Sequence, residues 1–170
     1  MVLFFYIILN MLALFLFIRK KKMLHILEII IYWLISSYLY QNFSALCYMN
    51  FKTLVIPDKL SYEFSHVLNR IILFPVLMVT FLHFFLIFTT NLKKLLLMIS
   101  FMTILTAMEF LADYLGVLIH VHWKIWWSFS YWLGTLCVLI VFMKIFRRIL
   151  YKGDWHVWIL PLIGMNGFSS

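Results

Sequence analysis

Two carboxylates and a histidine stand where an otherwise apolar helix should be. Glu109 and Asp113 lie inside the apolar run Leu95–Ile119. On a helix, Thr106, Glu109, Asp113, Gly116 and His120 share one stripe, spaced 3, 4, 3 and 4. Each carboxylate near the centre of a membrane helix costs about 2.5–3.5 kcal/mol, so the pair needs a protein partner or a water-filled pocket. Such groups could couple to protons, or serve as acid and base on a lipid-borne substrate. The residue types are equally met by an ion-pair network that only fixes helix register. A metal reading of His120, His122 and Asp113 is weak, because helical geometry turns residues two apart away from each other. No metal site is assigned, and no motif calls for a cofactor.

The elements that must position these groups follow from composition. The chain has 170 residues, 66% of them hydrophobic and 12% charged. A soluble domain is about 45–50% apolar and about 25% charged, so these polar residues cannot cover a water-facing surface. The apolar runs are continuous rather than alternating, which favours helices over a barrel. The expected fold is therefore an all-α integral membrane protein. The net charge of +8 comes from short clusters at the ends of apolar runs. These fit anionic headgroups of a lipid bilayer rather than nucleic acid, which needs an extended basic face. Cys47 and Cys137 form no metal or redox motif and are expected as free, buried thiols.

Five runs are long enough to span, at about 2–18, 23–46, 71–90, 95–119 and 125–146. The first is followed, not preceded, by Arg19–Lys20–Lys21–Lys22, the order of an uncleaved anchor. Asn91–Lys94 reads as a short turn before the fourth. Pro57 interrupts the hydrophilic connection, and 58–70 reads as an amphipathic helix on the membrane surface. Pro75 should bend the third span. The tail 153–170 is too short in apolar length to cross and is expected at the interface. With the N-terminus outside and the C-terminus inside, ten of the fourteen lysines and arginines fall inside, as the positive-inside rule requires. Trp123, Trp126, Trp127, Tyr131 and Trp132 then cluster at the outer interface as an anchor belt.

That topology places Asp113 about 9 Å and Glu109 about 15 Å from the outer end of the fourth span. Arg70, entering the third span from the same side, is the expected counter-charge to Asp113. His83 approaches the same layer from the inner half, so Arg70, His83, Glu109, Asp113 and His120 form the candidate polar cluster. Glu28 belongs to a second stripe with His25, Tyr32 and Ser36. Its expected partner is Lys21 or Lys22 near the inner interface, with a functional acid as the alternative. Hydrolase, ATPase and redox motifs are missing from the sequence.

Asp58, Ser61–Tyr62, Phe74–Pro75, Met108–Glu109, Gly116 and Trp123 together resemble a family of small, uncharacterised multi-pass membrane proteins of spore-forming Firmicutes. The similarity covers Asp58 to Arg148. It implies a multi-pass protein of the bacterial cell membrane and carries no catalytic residue. The expected function is a non-enzymatic accessory subunit, or a small-solute or proton-linked permeation protein, with a membrane-protein partner or a second copy as its company. A membrane-embedded enzyme acting on a lipid or isoprenoid substrate is the alternative.

Overall fold

The computed structural model describes residues 1–19 and 24–151, and the expected tail 153–170 and the lysines 20–22 lie outside it. Among the described residues five helices form the bundle: α1 Val2–Arg19, α2 Ile26–Ala45, α3 Leu60–Ile87, α4 Asn91–Tyr114 and α5 Ile125–Leu150. Two short strands, β1 Leu54–Val55 and β2 Ile119–His120, join the α2–α3 and α4–α5 connections. They pair antiparallel, Leu54 opposite His120 and Val55 opposite Ile119. The Val121 N–H extends the ladder by donating to the Thr53 carbonyl at 2.9 Å.

Among the described residues four helices, α1, α3, α4 and α5, are long and apolar enough to cross a membrane. The fifth expected span, α2, has 20 residues, about 30 Å at 1.5 Å per residue. Glu28, Gln41 and Asn42 dilute its apolar character, which keeps it out of that set. Its faces are inverted relative to a helix of a water-soluble protein. Ile30, Leu34 and Tyr38 point outward, while Glu28, Tyr32, Ser36, Tyr40 and Ser44 are buried.

The helix α3 is the centre of the bundle and packs against all four others. The surface helix expected over 58–70 is instead its first half, continuous with the third span through a π-turn at Asn69–Leu73. The physical reason is burial. Ser65, His66 and Asn69 turn into the bundle against α1 and α2 rather than towards solvent. Pro75 follows the π-turn directly, in the first turn of regular α-helix. Its ring offers no N–H to the Ile71 carbonyl, and the Trp33 indole of α2 donates to that carbonyl at 2.9 Å instead.

The helix of the second span begins at Ile26 rather than 23, the third ends at Ile87 rather than 90, the fifth runs on to Leu150 rather than 146, and the two ends of α4 differ more. Asn91–Lys94 is the first turn of α4, not a connection, because the chain leaves its extended conformation at Thr90. At the other end α4 stops at Tyr114, five residues short of the expected Ile119. Gly116 has φ +70, its N–H donates to Asp113 O at 2.9 Å, and the Val117 N–H donates to Ala112 O at 2.9 Å. These two bonds form a Schellman cap, which glycine closes without a Cβ penalty. Cys47 is buried as expected, whereas Cys137 is exposed on α5.

Gly116→Ala should lower stability by about 1 kcal/mol, because the added Cβ opposes the left-handed backbone although nothing crowds it. Gly116→Asn should lose less. Thermal unfolding in detergent checks the order.

Candidate functional site

The Schellman cap decides where His120 goes. Past Gly116 the chain turns back, and the β1–β2 ladder holds His120 beside the last two turns of α4. His120 therefore meets the carboxylates from a returning strand, not from the next turn of their own helix. Its backbone N–H donates to Asp113 Oδ1 at 3.0 Å. Its Nε2 lies 3.3 Å from Glu109 Oε1, and its Nδ1 lies 3.3 Å from Asp113 Oδ2. The second approach is an ion-pair contact without hydrogen-bond geometry. Phe110 and Trp123 flank the ring, with centroids 5.8 and 5.3 Å away.

The three side chains differ in exposure. Those of Glu109 and His120 are 3% and 5% exposed, and that of Asp113 is 32% exposed. The arrangement thus runs from a half-open carboxylate, through an imidazole, to a closed carboxylate. The far oxygen of Glu109, Oε2, accepts a hydrogen bond from Trp132 Nε1 at 2.9 Å. Trp132 is fully buried, stacked on Tyr40 at 5.6 Å and on Phe74 at 5.0 Å. It is therefore a core residue and not part of an anchor belt. Trp126, by contrast, is exposed. Burial lowers the tendency of His120 to hold a proton. The hydrogen bond and charge of Glu109, with the charge of Asp113, outweigh it and raise the pKa above the ordinary 6.5.

Arg70 does not pair with either carboxylate. It sits in the π-turn of α3, its Nε buried without a hydrogen-bond partner, and its charge acts on His66 and Tyr40. The expected counter-charge is replaced by His120 because the returning strand delivers an imidazole directly onto the stripe. His83 is buried near the other end of α3 and is bonded to neither carboxylate nor to His120. His122 is exposed, with a left-handed φ of 54, so it turns away from His120. Among the described residues no group of three histidine, cysteine or acidic side chains could hold a metal ion.

Glu28 forms a separate site at the opposite end. It is fully buried and accepts four contacts. Arg147 Nε lies 3.0 Å from Oε1, Tyr32 Oη donates at 3.3 Å, Tyr151 Oη donates at 3.3 Å, and the His25 backbone N–H donates at 2.8 Å. The last bond closes a capping box at the start of α2. The cation is thus Arg147 from the end of α5. Lys21 and Lys22, the expected partners, lie outside the described residues.

Beside the His120 cluster, an apolar pocket of about 330 Å³ is lined by Phe43, Cys47, Phe51, Thr53, Trp123 and Trp127. Trp123 touches both, its ring against His120 and its Nε1 donating to Ser128 Oγ at 2.8 Å. Trp132, Arg147 and Tyr151 escaped the sequence reading as partners of the carboxylates. Trp132 had a signal, since Trp132, Leu136, Leu139 and Met143 recur at helical spacing as the buried stripe of α5. Arg147 had none, because nothing local ties it to a residue 119 positions earlier. Comparison with family models, curated proteins and solved structures finds no match to this chain.

Arg147→Ala should destabilise the protein by about 3 kcal/mol, since it leaves a buried carboxylate without its cation. Glu28→Gln should cost less, and detergent melting of both variants tests this. The His120 pKa is raised on folding, so its stabilising share is complete below pH 6.5 and fades as the pH rises through the folded pKa. A melting series from pH 5 upward should show that decline in the wild type, and His120→Asn should remove it.

Proposed function

We propose that this chain is a five-span protein of the bacterial cell membrane, amino terminus outside and carboxyl terminus inside, that works without enzymatic activity as a proton-linked permeation element. The pairing of β1 with β2 supports the topology, because five alternating spans bring those two connections to one side. The meeting of Glu28 with Arg147 and Tyr151 at the other end supports it in the same way. The bacterial location rests on the sequence resemblance alone.

One observation carries the functional reading. His120 presents Nε2 to buried Glu109 in a hydrogen bond of 3.3 Å and Nδ1 to half-open Asp113 across an ion-pair contact of 3.3 Å. An imidazole with a carboxylate on each nitrogen accepts a proton on one side and releases one on the other. The exposure difference gives the path a surface end at Asp113 and an interior end at Glu109, and the proton gradient sets the direction of flow. A network that serves only to hold helix register would not need the outer carboxylate open to solvent.

The second reading, a membrane-embedded enzyme acting on a lipid or isoprenoid substrate, draws on the apolar pocket. Its aromatic walls suit a hydrocarbon chain. No carboxylate lines that pocket, and Trp123 stands between it and His120, so the proton-linked reading is the stronger.

Purified protein in liposomes loaded with a pH-sensitive dye, under a potassium diffusion potential, should conduct protons. Glu109→Gln and His120→Asn should bring the flux to the level of protein-free liposomes while circular dichroism stays unchanged. Flux equal to wild type in either variant would refute the relay. Loss of flux in proportion to loss of folded protein would return the cluster to a register-fixing role.

A further inference from the structure

The relay at His120 ends on Glu109, inside the bundle, and a proton delivered there needs a way on. The buried face of α2 offers one hydrogen-bonding side chain per turn. Glu28, Tyr32, Ser36, Tyr40 and Ser44 recur at four-residue spacing, and each is at most 4% exposed. We infer that this file, from Tyr40 through Ser36 and Tyr32 to Glu28, carries protons between the Glu109 cluster and the opposite end of the bundle.

One end of the file is hydrogen-bonded to Glu28, and the other packs against the indole that holds Glu109. Tyr32 Oη donates to Glu28 Oε1 at 3.3 Å. Tyr40 stacks on Trp132, the indole that holds Glu109. At the far end Glu28 also takes the Tyr151 hydroxyl and the Arg147 guanidinium. The Arg147 side chain is 32% exposed, so the file reaches the surface there.

Ser36 is the discriminating residue. Serines and threonines on these helices commonly turn back to the carbonyl four residues earlier, as Ser65, Thr80, Ser100 and Thr103 do. Ser36 is fully buried, yet its Oγ makes no such bond and has no protein partner. An unpaired buried hydroxyl is costly, and water is its ordinary remedy. Four residues of helix separate the Cα atoms of successive members by about 6 Å along the axis, and no direct hydrogen bond joins Ser36 to either tyrosine, so the step past Ser36 needs a bridging water. Thr106 repeats the pattern on α4, one turn from Glu109, with its buried Oγ1 unpartnered.

The transfer balances without any co-reactant. Protonated Glu109 gives up its proton, each hydroxyl or water accepts one proton and passes on its own, and Glu28 takes the last. Net movement is one proton, and the hydroxyls return by rotation. The inference rests on the proton-linked reading above, and the test separates the two. Ser36→Thr and Ser36→Val have nearly the same shape and differ in the hydroxyl. In the liposome assay Ser36→Thr should retain wild-type flux, and Ser36→Val should lose it. Equal flux in the two variants, whether kept or lost, overturns the file. If that happens while Glu109→Gln still abolishes flux, the outer relay stands alone. If wild-type liposomes are tight to protons, or Glu109→Gln conducts normally, both readings fall.

Discussion

A carboxylate buried among apolar helices has to be met, and the way Glu109 is met organises one end of this protein. Its two oxygens are taken by side chains from different elements, Trp132 of α5 and His120 of the returning strand. Each bond fixes an element against α4. Trp132 in turn seats the stacked rings of Tyr40 and Phe74, which brings α2 and α3 into the same core. Leaving a buried charge without partners costs several kcal/mol, so these contacts constrain the packing more tightly than apolar contact alone.

The same constraint acts at the other end through Glu28. There the partners are His25 and Tyr32 at the start of α2 and Arg147 and Tyr151 at the end of α5. Between these two sites the core is apolar, with Phe81, Leu82, Leu105, Leu136 and Leu139 fully buried. The polar side chains of α2 run past this core on one face while its other face is hydrocarbon. A helix of that kind has no stable place in water-soluble architecture. Against lipid it loses nothing by exposing Ile30 and Leu34, and its polar face must find partners inside.

The central helix absorbs the remaining irregularity. The π-turn at Asn69–Leu73 and Pro75 disturb its hydrogen bonding at one level, and Trp33 repairs the carbonyl left over. That level is also where α1, α2 and the two halves of α3 converge. A widened turn there lets His66 and Asn69 stay buried above it while Phe74 and Met78 stay buried below it.

Class, the approximate helices and the two acidic stripes were legible in the sequence, because the local hydrophobic pattern determines them. A run such as Val2–Ile18 can do nothing else, and a carboxylate amid Leu95–Ile119 announces a site wherever the helix packs. Gly116 carried the stop signal for α4, but the surrounding apolar residues hid it. What only the tertiary structure decided was the identity of the partners. His120 replaces Arg70, Arg147 joins Glu28, Trp132 leaves the interface for the core, and two connections pair as strands. Each of these depends on residues distant in sequence meeting in space, set by chain reversal and packing rather than by spacing. Periodicity records which face a residue occupies. It holds no record of what that face will touch.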